Sequence, residues 1–270
     1  MADNSNDSDS NDSVQGFLTE LKAFASRLAQ ADSVLVITGA GMSADSGLPT
    51  YRGVGGLYED KDTEDGVPIE VALSGPVFRK TPEITWKYLG QIEKGTRGKT
   101  FNRGHSVLAE LEQHFQRFWI LTQNVDGFHT FAGSKNVIEI HGNLHNLECT
   151  ACDHRKTVMD YVDIPIPPIC DRCQAMMRPS VVLFEESLPQ DALETLDREH
   201  RVPFDIVISI GTSSHFPYIV RPVIFAKQVG SFTVEINPGS TSISDVVDLQ
   251  LPLGAADVLD HVWKLVGASS

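Results

Sequence analysis

The sequence predicts an α/β fold, in which helices cover both faces of a parallel sheet and a smaller second domain interrupts the chain. One observation is a series of short apolar runs, each followed by a polar or glycine-containing turn. The other is that segments with helical spacing of apolar residues separate these runs. Strands buried on both faces are typically continuous apolar runs, so the alternation favours a parallel sheet. The runs occupy residues 34–37, 118–121, 137–140, 205–210 and 232–236.

The composition is that of a globular protein. The chain has 270 residues, of which 41% are hydrophobic and 21% charged, enough for one large core with a smaller appended unit. The formal net charge of −14 disfavours direct binding to nucleic acid and favours basic partners such as lysine-bearing polypeptides. No signal-peptide pattern opens the chain, and no apolar run approaches the ~18 residues of a membrane span. We therefore expect a cytoplasmic protein that does not cross a membrane.

Helices are expected near both ends of the folded region. Residues 1–13 are predicted to be a disordered acidic tail, because they contain almost no side chain that repays the entropy of ordering. Ser13 can cap the first helix, and residues 258–266 have the spacing of a last helix packed on the core. The apolar face of the first helix comprises Val14, Phe17, Leu18, Leu21, Phe24, Ala25 and Leu28.

The turn after the first predicted strand is rich in glycine and other small residues. It begins with Gly39, Ala40 and Gly41 and extends to Gly47. Small residues let a backbone approach a pyrophosphate, and the N–H groups that follow can bind the anion. The pattern indicates nucleotide binding, although a tight turn without a ligand fits the same residues equally well.

The turns after the other strands are expected to meet this glycine loop. Ligands of parallel sheets bind at the carboxyl ends of the strands, so the turns converge on one crevice. They occupy residues 122–127, 141–142, 211–214 and 237–239.

Two segments interrupt the strand pattern and predict the smaller domain. Residues 54–66 are rich in glycine and acidic residues, and residues 73–100 have helical spacing around Phe78, Ile84 and Trp86. The second interruption carries two Cys-x-x-Cys pairs separated by 17 residues: Cys149, Cys152, Cys170 and Cys173.

The spacing of the cysteine pairs is typical of a tetrahedral Zn²⁺ site. Disulfides are the alternative, but a cytosolic protein rarely keeps them. Four thiolates leave no open coordination position, so we expect a structural metal. Zinc ribbons also occur in nucleic-acid binders, but Arg155 and Lys156 are the only cations between the pairs.

These motifs occur in the order of the sirtuin family. The glycine loop, residues 123–126, His141 with its following glycine, the four cysteines and residues 211–213 resemble NAD-dependent protein lysine deacylases of the bacterial type. The resemblance spans residues 34–255. It implies a Rossmann-type NAD-binding domain, a small domain made of a helical module and a zinc ribbon, and NAD⁺ consumed between them. The implied large domain comprises residues 14–53, 101–145 and 179–270, and the small domain comprises residues 54–100 and 146–178.

The resemblance also implies roles for single residues. His141 is the general base that activates a ribose hydroxyl, and Asn124 and Asp126 form the nicotinamide pocket. The implied products are free lysine, nicotinamide and O-acyl-ADP-ribose. From the residues alone, His141 could be a surface turn residue, and Asn124 and Asp126 could form an Asx turn. The implied NAD-binding residues are Gly39, Ala40, Gly41, Ser43, Asp45, Pro49, Tyr51, Arg52, Gln123, Asn124, Asp126, Gly211, Thr212, Ser213, Asn237 and Ala255.

A further segment resembles the one that pairs with the substrate peptide in this family, and a short internal strand is its alternative. The chain departs from the family where Glu185 replaces a common glycine, where Thr50 and Tyr51 replace Asp and Phe, and where Phe128 replaces leucine. The implied substrate-binding residues are Val181, Val182, Leu183, Phe184, Glu186 and Tyr88.

The acyl preference is predicted from the helix around Tyr88. Relatives that prefer acidic acyl chains carry a Tyr-x-x-Arg pair, but here Gln91 lies three residues after Tyr88. Burial of an unpaired carboxylate costs several kcal/mol, so we expect neutral acyl groups to be preferred and Tyr88 to pack or line the pocket.

Other functions of an NAD pocket stay open. An ADP-ribosyltransferase or NAD⁺ hydrolase would pass the ribosyl group elsewhere, and a non-catalytic NAD sensor would release no nicotinamide. An NAD dehydrogenase is disfavoured, because its acidic ribose-binding residue would fall in the strandless residues 59–65.

Overall fold

The structure is a computed structural model that describes residues 15–50 and 63–267. The predicted acidic tail, the Ser13 cap and the predicted NAD-binding residues Tyr51 and Arg52 lie outside the described residues. No helix within the described ranges combines the length and the apolar character that a membrane crossing requires.

Within residues 15–50 and 63–267, nine strands form two sheets, one of six strands and one of three. The strands are β1 (Ser33–Thr38), β2 (Arg117–Thr122), β3 (Val137–Glu139), β4 (Asn146–Cys149), β5 (Arg155–Thr157), β6 (Met177–Pro179), β7 (Ile206–Ile210), β8 (Phe232–Ile236) and β9 (Leu249–Leu251). A 3₁₀ helix spans Ala40–Ser46, and the α-helices are α1 (Leu18–Leu28), α2 (Ile69–Ala72), α3 (Gly75–Lys80), α4 (Pro82–Thr96), α5 (Arg103–Glu112), α6 (Phe128–Phe131), α7 (Gln190–His200), α8 (Pro217–Val229) and α9 (Ala255–Gly267).

The larger sheet has the order β3-β2-β1-β7-β8-β9, and all its strand pairs are parallel. The strands β1, β2, β3, β7 and β8 of this sheet coincide with the five apolar runs, whose prediction as strands is therefore confirmed. The short edge strand β9 was not predicted, because only Leu251 of its three residues is buried and its sequence shows no apolar run.

Helices cover both faces of this sheet, as predicted. The alternation of side chains along β1 assigns Val34 and Val36 to one face and Leu35 and Ile37 to the other. On the first face they pack against α1, α5 and α9, and on the second against α7 and α8. All six residues of β1 are buried, which explains why the sequence is continuously apolar from Val34 to Ile37.

The remaining elements form a second packing group. Residues of α2, α3 and α4 pack with those of the antiparallel sheet β5-β4-β6 in a separate hydrophobic cluster. Trp86 is fully buried there, with Tyr161 edge-on at a ring distance of 5.8 Å. The predicted helical region is broken at Thr81, since a residue before proline is disfavoured in the helical conformation. The domain boundaries stay a prediction.

Candidate functional site

A crevice opens where the strand order of the large sheet reverses, between the carboxyl ends of β1 and β7. The loops that follow these strands bind each other through their backbones. The Gly39 N–H donates to the Ile210 carbonyl at 3.0 Å, and the Gly41 N–H donates to the Gly211 carbonyl at 2.8 Å. A Cβ atom on Gly41 would lie 2.6 Å from Gly211 Cα, so glycine is required for this approach.

A cavity of about 980 Å³ extends from this crevice to the second packing group. Its volume is at the upper end of the range for small-molecule sites. Most of the sequence-predicted site residues line it: Gly39, Ala40, Gly41, Asp45, Gln123, Asn124, His141, Val181, Val182, Leu183, Phe184, Glu186, Gly211, Thr212, Ser213, Asn237 and Ala255.

The structure places four predicted site residues away from the cavity lining. Ser43 and Asp126 lie behind Asn124, and Pro49 does not reach the lining. Tyr88 is buried, and its hydroxyl donates to Asp65 at 2.5 Å. From the same helix, α4, Leu89 and Ile92 line the cavity instead.

A buried hydrogen-bond network fixes Asn124 at the cavity wall. Its Nδ2 donates to the Gly39 carbonyl at 3.1 Å and to Ser43 Oγ at 3.2 Å, and Ser43 Oγ donates to Asp126 Oδ2 at 2.8 Å. The other oxygen of Asp126 accepts the Phe128 N–H at 2.9 Å, which is the Asx turn named as an alternative above. Burial raises the pKa of Asp126, against the opposing effect of these bonds.

His141 lies at the centre of the cavity wall, two residues after β3. Its Nδ1 lies 3.1 Å from the Gln123 carbonyl, and its Nε2 lies 2.7 Å from the Tyr218 hydroxyl. A carbonyl oxygen only accepts, so Nδ1 carries the proton and Nε2 carries the lone pair. Burial lowers the pKa of His141, although the bond to Gln123 opposes the shift. The ring is therefore a neutral imidazole with its basic nitrogen at the cavity.

The segment at residues 181–186 spans the space between the two packing groups. The Val182 N–H donates to the His141 carbonyl at 2.9 Å. On the other side, the Phe184 N–H donates to the Leu73 carbonyl and the Phe184 carbonyl accepts from the Gly75 N–H, both at 2.9 Å. The segment forms one isolated bridge with Ser74 and is not a strand.

Glu185 and Glu186 of this segment have different environments. Glu185 is exposed at the cavity and adopts a left-handed backbone with φ of 63°, a conformation that favours the glycine usual in the family. Glu186 forms a two-pronged ion pair with Arg178 at 2.7 and 2.8 Å and accepts the Leu183 N–H. Burial alone would raise the pKa of Glu186, but these bonds lower it. The ion pair ties the segment to β6.

The four cysteines form one cluster. Their Sγ atoms all lie within 4.8 Å of one another, with Cys149 and Cys173 at 3.4 Å and Cys152 and Cys170 at 3.8 Å. Tetrahedral coordination with Zn–S bonds of about 2.3 Å requires sulfur separations of about 3.8 Å. A disulfide bond is only about 2.05 Å long, and all four cysteines are free, so the disulfide alternative is wrong.

Comparison with known proteins identifies the family. The family model described as the Sir2 family matches residues 39–217, which include the glycine loop, residues 181–186 at the cavity and all four cysteines. The chain belongs to the Sir2 family. It is 48% identical over 241 residues to NAD-dependent protein deacylase 2 of Pseudomonas aeruginosa, covering 88% of this chain and 94% of that protein. It is 50% identical over 238 residues to the protein of the same name from Pseudomonas syringae pv. tomato, with 87% and 96% covered.

Solved Sir2 structures have the same fold. A Sir2 homologue in complex with NAD superimposes with a TM-score of 0.81 at 35% identity, covering 92% of this chain and 94% of that one. A Sir2 mutant with a deacetylated p53 peptide and 3′-O-acetyl ADP-ribose superimposes with a TM-score of 0.79 at 28% identity, with 91% and 98% covered.

Some cavity residues of this Sir2-family chain were not predicted. Phe216 and Tyr218 line the cavity beside His141, but in the sequence they resemble apolar residues of a helix start. Thr241 follows β8 and lines the cavity from a loop without a motif. The position of Tyr218 after the turn at residues 211–214 was the one available signal, since that turn was predicted to reach the crevice.

Proposed function

We propose that this chain is an NAD-dependent protein lysine deacylase that consumes NAD⁺. The observation that carries the proposal is the position of His141, whose unprotonated Nε2 faces a cavity bounded on one side by the glycine loops and on the other by residues 181–186. One side of this cavity suits a dinucleotide, and the other suits a peptide. A base between the two can act on both substrates.

The glycine loops would hold NAD⁺ through close backbone approach. Gly39 and Gly41 lie against Gly211, where a Cβ atom on either glycine would clash with the facing loop, so the backbones of the two loops can approach each other and line the crevice in which the pyrophosphate would lie. Asn237 and Ala255 would bound the adenosine. Asn237 Nδ2 donates to the Thr212 carbonyl at 2.9 Å, and Asp45 accepts the Ala256 N–H at 3.1 Å, so both walls are tied to the loops. Pairing of Arg52 with phosphate stays a prediction.

In this reaction NAD⁺ supplies a reactive C1′–nicotinamide bond. The acyl oxygen of the substrate would form a bond to C1′ as the C1′–nicotinamide bond breaks, and a ribose hydroxyl would then attack the acyl carbon. Addition of one water and cleavage of the bond between the acyl carbon and the lysine nitrogen would give free lysine and O-acyl-ADP-ribose. His141 accepts the proton of the ribose hydroxyl that takes over the acyl group. Asn124, fixed by Ser43 and Gly39, would orient the nicotinamide carboxamide, and Asp126 would support Asn124 from behind.

The other side of the cavity would receive the acyl-lysine. Leu89, Ile92, Val125, Leu183 and Phe184 give it an apolar lining. Of the described residues that line the cavity, none is an arginine or a lysine. An acidic acyl chain would be buried there without a cation, so acetyl and other neutral chains are preferred. The peptide backbone would pair with those backbone groups of residues 181–186 that do not already bond to His141, Leu73 and Gly75.

The four cysteines would hold one structural Zn²⁺ ion, because their sulfur separations fit tetrahedral coordination and leave no place for a substrate. Acylated-lysine proteins would be the partners. A cytoplasmic location and the lack of direct nucleic-acid binding stay predictions from the sequence.

Mass spectrometry of the products from NAD⁺ and matched lysine peptides tests this function. We expect O-acetyl-ADP-ribose, nicotinamide and free lysine from the acetyl peptide, and a lower kcat/KM for the succinyl peptide. ADP-ribosylated protein or free ADP-ribose without deacetylated peptide would favour the transferase or hydrolase alternative. Binding of NAD⁺ without nicotinamide release would favour the sensor.

A further inference from the structure

The basic nitrogen of His141 has a hydrogen-bond partner within the chain itself. Tyr218 Oη lies 2.7 Å from His141 Nε2. Because Nδ1 must donate to the Gln123 carbonyl, Nε2 can only accept, and the Tyr218 hydroxyl is therefore the donor. Nε2 has a single lone pair. It cannot accept a full hydrogen bond from Tyr218 and from a ribose hydroxyl at the same time.

The surroundings hold Tyr218 in this place. It is the second residue of α8, after Pro217, whose fixed φ suits the first position of a helix. The Tyr218 ring stacks on Phe216 at 5.3 Å with an interplanar angle of 11°. Phe216 in turn meets the His141 ring edge-on at 5.8 Å. The hydroxyl is thus aimed at Nε2 by packing that does not involve a substrate.

We propose that Tyr218 is a positioning residue, which holds the basic nitrogen of His141 in the free protein and releases it to the ribose hydroxyl when the co-substrate binds. This inference rests on the deacylase function proposed above. In the free protein the bond keeps the imidazole neutral and correctly oriented. On binding, the ribose hydroxyl replaces the phenol as the donor to the same lone pair.

The groups around the ring support this assignment. Within the described residues, the hydrogen-bond and ring partners of the His141 side chain are the Gln123 carbonyl, the Tyr218 hydroxyl and the rings of Phe216 and Tyr218, and none of them is charged. Glu139, two residues before, binds the Asn143 side chain. Burial raises the pKa of Tyr218 to about 12, so the phenol stays a donor at neutral pH.

Removal of the Tyr218 hydroxyl should shift the pKa of His141 in one direction. A donor on Nε2 stabilises the neutral imidazole, so Tyr218→Phe raises the pKa of His141 in the free protein. A single hydrogen bond corresponds to a shift of about half a unit to one unit. The acidic limb of the kcat/KM profile, which reports the free enzyme, moves to higher pH by the same amount. Since no internal bond has to break, ADP-ribose binds about two- to tenfold more tightly.

The pKa is measured by NMR of ring-labelled histidine, assigned with His141→Gln, and ADP-ribose affinity is measured by calorimetry. Tyr161→Phe is the matched control, because it removes another buried hydroxyl, which donates to the Leu144 carbonyl rather than to His141. We expect this control to show the wild-type values. With ADP-ribose bound, the difference in His141 pKa between the wild type and Tyr218→Phe disappears.

An unchanged His141 pKa in folded Tyr218→Phe, or weaker ADP-ribose binding, would overturn the proposal. A hundredfold fall in kcat at every pH would also overturn it, because the hydroxyl would then act during turnover. The NMR and binding measurements need no turnover. A wild-type protein that binds ADP-ribose but does not deacylate would therefore contradict the proposed function without removing the test of Tyr218.

Discussion

The two sheets of this protein achieve stability in different ways. In the large sheet, β1 is buried along its whole length, and helices pack on both faces. In the small sheet, all three residues of β5 are exposed, and the strands have only three or four residues. Burial of one Val, Leu or Ile side chain stabilises a fold by roughly 1.5–3 kcal/mol, a contribution that β5 lacks.

This difference explains where the chemistry and the cysteines lie. A sheet held by its own packing can end in loops that contain glycine and polar residues, such as those around Gly41 and His141. A sheet of short strands needs another source of stability, and four clustered thiols provide one when a metal binds. In the ribbon formed by residues 146–178, apolar side chains such as Met159 and Ile169 are exposed. This part of the chain therefore buries little apolar surface.

The largest expected effect is unfolding of the small sheet, with its cysteine cluster, while the large sheet stays folded. Cys170→Ala, at a fully buried position of the cysteine cluster that would hold the proposed Zn²⁺, should abolish deacylation and unfold the ribbon, because metal-binding energy is folding energy. The large sheet should stay folded. Fluorescence of Trp86, in a background with Trp119→Phe and Trp263→Phe, reports the second packing group, and circular dichroism reports the whole protein.

Met159→Ala is the control, since this side chain is 77% exposed in the same ribbon. We expect it to retain metal, melting temperature and activity. Metal-free Cys170→Ala with wild-type melting and turnover would show that the ribbon needs no metal.

The second prediction concerns the chemistry of His141, at the end of the large sheet. His141→Ala should lower kcat by about 10²- to 10⁴-fold, the usual contribution of a general base. Affinity for NAD⁺ should stay within a few-fold of the wild type, because the base acts after the cofactor is bound. Steady-state kinetics and calorimetry on one sample test both parts, and unchanged turnover would refute the role of His141.

The third prediction is a pH dependence of stability that arises from two buried histidines, His105 in α5 and His129 in α6. Burial lowers the pKa of His105 to about 4 and that of His129 well below its ordinary value, with their rings 4.8 Å apart. Within the described ranges, His105 Nε2 and His129 Nδ1 have no hydrogen-bond partner. Since the unfolded chain binds these protons more readily, the stabilisation is complete above pH ~6.5 and is lost as pH falls toward 4, by a few kcal/mol.

Denaturant titrations between pH 7 and 5 measure this loss. His105→Gln keeps the side-chain acceptor for the Asn102 N–H in the capping box and should flatten the dependence. The exposed His114→Gln should retain the wild-type slope. Equal slopes in all three proteins would mean that the pair does not titrate on unfolding.

The smallest expected effect tests the contact between the two glycine loops. Gly41→Ala places a Cβ 2.6 Å from Gly211 Cα, so the loops must separate, at a cost of about 1–3 kcal/mol in stability. Binding of ADP-ribose should weaken about tenfold. Gly254→Ala is the matched control, because its Cβ would lie 3.8 Å from the nearest atom in the same cavity. Equal ADP-ribose affinities of the two variants would show that close approach is not required.

The sequence predicted the central strands β1, β7 and β8 of the large sheet well because nearly all of their residues are buried, whereas the edge strand β9, with only Leu251 buried, was not predicted. The strands β4, β5 and β6 of the ribbon were not predicted from apolar runs. Residues such as Arg155 and Lys156 lie in an exposed strand without an apolar pattern. The cysteine spacing nevertheless indicated the cluster, because ligand spacing is a local property of the chain.

Side-chain direction was harder to predict than position in the fold. Tyr88 was predicted to be a substrate-binding residue that packs or lines the pocket; it is buried with its hydroxyl bound to Asp65, while Leu89 and Ile92 face the cavity. Each helical residue turns by about 100°, so one position decides whether a side chain reaches the cavity. Tyr218 shows the converse case, because its hydroxyl meets His141 across 77 residues of chain and no local pattern encodes that contact.

The packing of α9 determines when during synthesis the site becomes complete. This helix packs with α1 and α5, Ala255 at its start lines the cavity, and the Ala256 N–H binds Asp45 beside the glycine loop. A ribosome that has translated only the first strands has produced the glycine loop without its opposite wall. The wall at Ala255 can join the glycine loop only after α9 has left the exit tunnel, so the crevice stays open on this side while the chain from β1 to α9 is being made.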